Sequence, residues 1–87
     1  MSSSARNRVR ALLKTTGRLQ TDIDTLADDA DLYAAGLTSH ATVNLMLSLE
    51  EAFDVEFPDA LLRRHTFSSI DAIVEALAGI GVKTEAA

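Results

Sequence analysis

Residues 39–54, SHATVNLMLSLEEAFD, decide the fold. Leu45, Leu49 and Phe53 recur at i, i+4 and i+8, and Met46 joins them, so one side of a helix carries a complete apolar stripe. Ser48 and Ala52 are small enough to let a neighbouring helix approach closely. Val43 and Leu47, also four apart, lie on a different side of the same helix. The pattern leaves two readings for that side. Both residues are merely partly covered, as exposed single apolar residues often are, or they join His40 in an apolar strip, flanked by Glu50 and Glu51, on which a partner docks.

Outward from this helix the chain changes character in both directions. Downstream, VEFPD ends it, because Pro58 disfavours helix at Phe57 and suits the first turn of a new one. DALLRRH then predicts a short third helix with Leu61 and Leu62 inward. In TFSSID the S-x-x-D spacing from Ser68 resembles a capping box with Asp71 in place of Glu or Gln. The last helix is predicted from about Ile70 to Ile80, with Ile70, Ile73, Val74, Leu77 and Ile80 inward, frayed by Gly79 and Gly81. Upstream, residues 20–38 show no clean period, and Ile23, Leu26, Leu32, Tyr33 and Leu37 predict a long loop pinned by anchors, with a short helical turn. Residues 5–19 read as a helix with Val9, Leu12, Leu13 and Leu19 inward, capped by a serine near its start and loosened at Gly17. The expectation is an all-α domain: three main helices, one short one, and a long loop between the first two.

Composition agrees with one small domain. The chain has 87 residues, of which 47% are hydrophobic, with a single proline and no cysteine. A chain of this size buries only about 60–65% of its unfolded surface, so its core must be efficient. Without cysteine there is no disulfide, no thiolate metal site and no cysteine nucleophile. MSSSARNRVR lacks the apolar run of a secretory signal, and no stretch approaches the ~20 apolar residues of a membrane span. A soluble cytoplasmic protein is expected, with no membrane partner. The net charge of −5 is unevenly spread. Arg6, Arg8, Arg10, Lys14 and Arg18 crowd the start, whereas Leu19 to Leu62 holds ten acids and no lysine or arginine. Such a surface repels nucleic acid and speeds encounter with a basic protein.

Ser39 sits at the corner where the loop meets the helix, and three chemistries compete for it. It caps the helix, or Thr38 does, for about 1 kcal/mol. It acts as a nucleophile with His40, although adjacent helical residues point about 100° apart, a poor geometry for a base. Or it is an attachment point, since a phosphodiester on its oxygen lies in the field of the unpaired N–H groups at the helix start. Such a group would bring the thiol this chain lacks.

The segment DLYAAGLTSHATVNLMLSLEEAFDVEFPD resembles the second-helix region of acyl carrier proteins, in which a D-S-L triad opens a helix that ends in a pattern like L-E-E-x-F-x-x-x-I-P. The helix order, the long loop, the acidic middle and the TFSSID lead-in agree, so the resemblance spans about Val9 to Leu77. It implies an acyl-carrier-protein-like four-helix bundle, a single carrier domain over residues 1–87 with about 5–80 structured. It also implies covalent 4′-phosphopantetheine on Ser39, taken from coenzyme A by a phosphopantetheinyl transferase. Thr38 replaces the family's aspartate, His40 its leucine, and Ala41 and Asn44 the acids of fatty-acid carriers. These departures look more like stand-alone bacterial carriers charged with glycine or alanine by amino acid:carrier protein ligases, truncated homologues of seryl-tRNA synthetases. The resemblance then implies a monomer without catalytic or metal-binding residues, docked by its ligase through His40, Val43, Leu47, Glu50 and Glu51, with Thr38 at the cofactor site as the cap that shapes the approach of the modifying enzyme. A carrier of fatty-acyl or polyketide chains, and an unmodified helical interaction module in which Ser39 only caps, are the alternatives.

Overall fold

A computed structural model describes residues 5–17, 19 and 21–82, so the serine expected to cap the first helix and the tail over 83–87 lie outside the described residues. Three α-helices, α1 (Ala5–Leu12), α2 (Ser39–Phe53) and α3 (Ile70–Gly79), enclose one core. From α2 it takes Leu45 and Leu49 of the predicted stripe together with Ala41, which that stripe did not include, while Met46 and Phe53 are half-buried beside them. Val9 and Leu13 face them from the first segment, and Ile70, Ile73, Val74 and Leu77 from α3. Phe57 and Phe67 meet edge to face, centroids 5.6 Å apart, and fill the end of the bundle.

The first helix is regular only to Leu12, not to residue 19. It widens into a π-helical turn over Leu13–Gly17, where the Thr15 and Thr16 hydroxyls both donate to the Leu12 carbonyl, at 3.1 and 2.7 Å. Hydroxyls that bond back onto the preceding turn compete with the regular ladder, and Gly17 offers little resistance.

The long loop is pinned as its anchors predict. Ile23, Leu32 and Leu37 are buried, and Leu26 and Tyr33 are packed against the core. A single 3₁₀ turn, Ile23–Thr25, is capped by Asp22. Backbone bonds from Leu32 to Ser68 (2.8 Å) and from Asp71 to Asp28 (2.9 Å) tie the loop to the start of α3. Arg10 closes the arrangement from α1, donating to the Ile23 and Leu26 carbonyls at 2.7 and 2.9 Å and to the Asp28 carboxylate. Arg6 adds Asp28 and Asp71 at 3.2 and 2.8 Å. The basic first helix thus lies against part of the acidic remainder. Lys14 pairs with Asp24 at 2.6 Å, and that hydrogen bond, then the charge, pushes the ammonium's pKa up; open to water, the pair contributes little to stability. Arg10 is different, because its loss strands the Ile23 and Leu26 carbonyls at once and leaves Asp28 with Arg6 alone. Arg10→Ala is expected to cost about 1–3 kcal/mol, read as a lower thermal midpoint by about 4–8 °C per kcal/mol.

Two expectations fail after α2. The short third helix is a pair of 3₁₀ turns, Asp59–Leu61 and Arg64–Phe67, and Leu62 between them faces solvent, 47% exposed. Three residues per turn, broken by an extended Arg63, rotate Leu62 off the side that Leu61 shares with the core. The cap of α3 is Ser69, whose hydroxyl accepts from the Ala72 N–H at 3.0 Å, while Ser68 donates to the His65 carbonyl at 2.7 Å.

Candidate functional site

The corner before α2 is built by a change of backbone direction. Gly36 takes φ +117°, which a glycine accepts freely, and the buried Leu37 closes the turn through its N–H to the Leu32 carbonyl at 3.0 Å. Thr38 is extended, and its Oγ1 accepts from the Ala41 N–H at 3.0 Å; its carbonyl takes the Thr42 N–H and hydroxyl, at 2.9 and 2.7 Å. Thr38 is therefore the cap. Ser39, the first helical residue, is exposed, and among the described residues its hydroxyl has no hydrogen-bond partner. The first turn of α2 carries no acid to neutralise the positive helix end.

A nucleophile needs a base in hydrogen-bond reach. His40 is exposed, and no hydrogen bond joins Ser39 to either histidine among the described residues. No cluster of three or more metal-ligating side chains occurs among those residues either. What remains at Ser39 is an accessible oxygen at a positive helix end, free of structural duty. That arrangement fits a covalently attached phosphodiester.

The other residues singled out in the sequence lie along α2. His40 and Val43 are exposed near Ser39, and Leu47 is one turn beyond Val43; Val43 and Leu47 are each 53% exposed. Glu51 is exposed. Glu50 is half-buried and braces the end of the helix: its carboxylate accepts from the Phe57 N–H at 2.8 Å, and its carbonyl takes the Val55 N–H at 3.0 Å. Asp54 between them sits in the left-handed region, φ 53°, which aspartate tolerates better than most residues. From the first helix, Arg8 donates to the Ala52 carbonyl at 2.6 Å and stacks 4.2 Å over the Phe53 ring.

Sequence reasoning missed an open, mostly apolar groove of about 380 Å³ beside Ser39. Val43 and Met46 of α2, Leu62 and Phe67 from the turns that follow it, and Tyr33 of the loop line it. Its sequence signals are Val43, set off the core stripe of α2, and the apolar Leu62 next to Arg63 and Arg64, which the expected third helix placed inward.

A family model for the phosphopantetheine attachment site matches residues 7–77. The chain is 58% identical, over 69 residues, to the aminoacyl carrier protein of Agrobacterium fabrum (strain C58), covering 79% of this chain and 83% of that one. A carrier protein from Agrobacterium tumefaciens, crystallised with ATP and an engineered Bradyrhizobium japonicum glycine:[carrier protein] ligase, has a similar fold. The TM-score is 0.85 at 54% identity, over 87% of this chain and 99% of that one. A glycylated carrier protein bound to the B. japonicum ligase is more distant, with TM-score 0.63 and 32% identity over 84% and 99% of the two chains.

Proposed function

The chain belongs to the phosphopantetheine-attachment family, and from that premise we propose that it carries an amino acid, glycine or alanine, on an arm attached to Ser39. The arm supplies the thiol on which the amino acid is held as a thioester, activated yet tethered at high effective concentration. The chain's own contribution is to present and release; it catalyses no step.

One observation carries this reading: Ser39 is exposed at the head of α2 while Thr38 performs the capping. A plain interaction module would have no use for that hydroxyl. Kinship supports the choice of cargo, because the aminoacyl carrier protein of A. fabrum is 58% identical, and similar carriers are bound to glycine ligases. A ligase of that type is the proposed loading partner. It would read His40, Val43 and Leu47, with Glu51 steering it; Glu50, occupied with Phe57, would add charge alone. Among the described residues no helix is long and apolar enough to cross a membrane, and the cytoplasm, where ATP and such ligases work, is the proposed location.

The test uses the arm-bearing protein, ATP and a glycine:[carrier protein] ligase, with glycine or alanine supplied in turn. A gain of one aminoacyl residue by intact mass is expected. Loading by a fatty-acyl ligase, with no gain from either amino acid, would move the chain to the fatty-acyl class.

A further inference from the structure

We propose that a second groove, between α3 and the two 3₁₀ turns, docks the protein that accepts the amino acid, through an apolar side chain of that protein followed by a carboxylate. The inference rests on the carrier function and extends it to the step after loading.

The groove is built from two sides. Ala72, Ala76 and Gly79 fall at i, i+4 and i+7 on α3 and leave its outer side low, while Pro58 and Leu61 stand opposite. Between them lies an open cleft of about 400 Å³, within the ~300–1,000 Å³ of ligand sites. An added Cβ at Gly79 would meet nothing within 4 Å, so the protein's own side chains leave that space empty. Thr66 also lines the cleft. It is only 4% exposed, and among the described residues its hydroxyl makes no hydrogen bond. No side-chain nitrogen or oxygen among those residues is both sealed and unpartnered, so the little surface that Thr66 keeps includes its Oγ1. A hydroxyl buried this deeply normally has a partner within the fold. Here the partner fits a group supplied from outside.

Charge identifies the chemistry of that group's owner. Between residues 19 and 82 the only lysines or arginines are Arg63 and Arg64. Arg64 lies 3.9 Å over the Tyr33 ring, at the groove beside Ser39. Arg63 lines the second groove next to the exposed His65, and its guanidinium has no ion pair or hydrogen bond among the described residues. Its planar fork suits a carboxylate. Glu75, on the α3 lip, is the only acid lining the cleft among the described residues, and it repels the incoming carboxylate towards Arg63. The strip on α2 has the opposite sign, with Glu50 and Glu51 beside Val43 and Leu47 and no cation. An acidic face and a basic face suit two partners that arrive in turn, the ligase and the acceptor, each steered to its own side. Arg63 lines both grooves, so a partner seated in the second lies beside the point where the arm is attached.

The experiment follows the cargo after loading. The arm-bearing protein is charged by the ligase with radiolabelled glycine or alanine, whichever it takes, and isolated. It is then added to an extract of the cells it comes from, and loss of label from the carrier is timed against loss in buffer alone. Gly79→Leu fills the cleft from a position with room for a side chain, using a residue that favours helix more than glycine does. It should slow transfer at least about fivefold, as when an anchoring side chain loses its pocket, with loading unchanged. Arg63→Gln should slow transfer about two- to fivefold, the factor an exposed ion pair usually supplies. Thr66→Val should also slow transfer while the thermal midpoint stays or rises, because the lost hydroxyl held no bond in the fold. Transfer at the natural rate in Gly79→Leu would overturn the proposal, as would a fall in its loading as large as the fall in transfer. Label that leaves the natural protein no faster in extract than in buffer would overturn it too. A protein that takes up neither amino acid would instead remove the carrier function, and the second face with it.

Discussion

Ser39→Ala is expected to abolish attachment of the arm while leaving the fold intact. Incubated with coenzyme A and a promiscuous phosphopantetheinyl transferase, the natural protein should gain the mass of one phosphopantetheine and the variant none. The effect should be all or none, because on the proposed reading the Ser39 hydroxyl oxygen is the atom that would take the phosphoryl group. The neighbouring hydroxyl is no substitute: Thr38 Oγ1 is held by the Ala41 N–H at 3.0 Å, outside the helix. The same geometry separates chemistry from stability. Ser39 is exposed and without a partner among the described residues, so its loss should change stability by no more than about 0.5 kcal/mol. Thr38→Ala should do the reverse, costing about 1 kcal/mol as a lost cap and still accepting the arm. Denaturant unfolding and intact mass on the two variants together read both halves. A mass gain that survives Ser39→Ala would place the attachment elsewhere and dissolve the proposed function.

The parts of this molecule that were legible in the sequence are those governed by a single period. Leu45 and Leu49 fall on one face of α2, and Ile70, Ile73 and Leu77 on one face of α3, because 3.6 residues per turn holds along a whole helix. The anchors of the loop were legible for another reason: Ile23, Leu32 and Leu37 are large apolar residues among acids and small residues, with nowhere favourable to go but inward. The period fails wherever the backbone leaves it. The π turn after Leu12 is set by which carbonyl two threonine hydroxyls choose, and Leu62 turns outward because the helix expected there is two 3₁₀ turns. Ser68 and Ser69 are both plausible caps, and one residue of backbone direction decides between them. Glu50 reads in the sequence as an acid flanking the docking strip, yet its carboxylate holds a backbone N–H seven residues on, past the left-handed Asp54. At the site, the serine was legible and the groove was not: a serine at a corner is local, whereas the groove joins Tyr33, α2 and residues 62–67.

Leu49→Ala and Leu47→Ala, two residues apart on α2, should have opposite consequences. Leu49 is fully buried, whereas Leu47 is 53% exposed, since two helical steps rotate a side chain by about 200°. Truncating Leu49 removes a side chain from among Leu45, Ile73 and the rest of the core, and leaves a cavity that packed helices fill only in part. The expected cost is about 2–5 kcal/mol, a large share of the ~5–15 kcal/mol that holds a domain of ordinary stability together. It should appear as a midpoint lowered by more than about 8 °C. Leu47→Ala leaves no cavity, and stability should stay within about 0.5 kcal/mol. Its effect should fall on loading: Leu47 lies in the proposed docking strip, and losing the burial of most of its side chain against the ligase costs about 1 kcal/mol or more. The ligase's kcat/KM for the arm-bearing protein should then drop about fivefold or more, carried by KM, while arm attachment by the transferase serves as the control for folding. Unchanged loading of Leu47→Ala would mean that the ligase docks elsewhere and that this strip of α2 is bare surface.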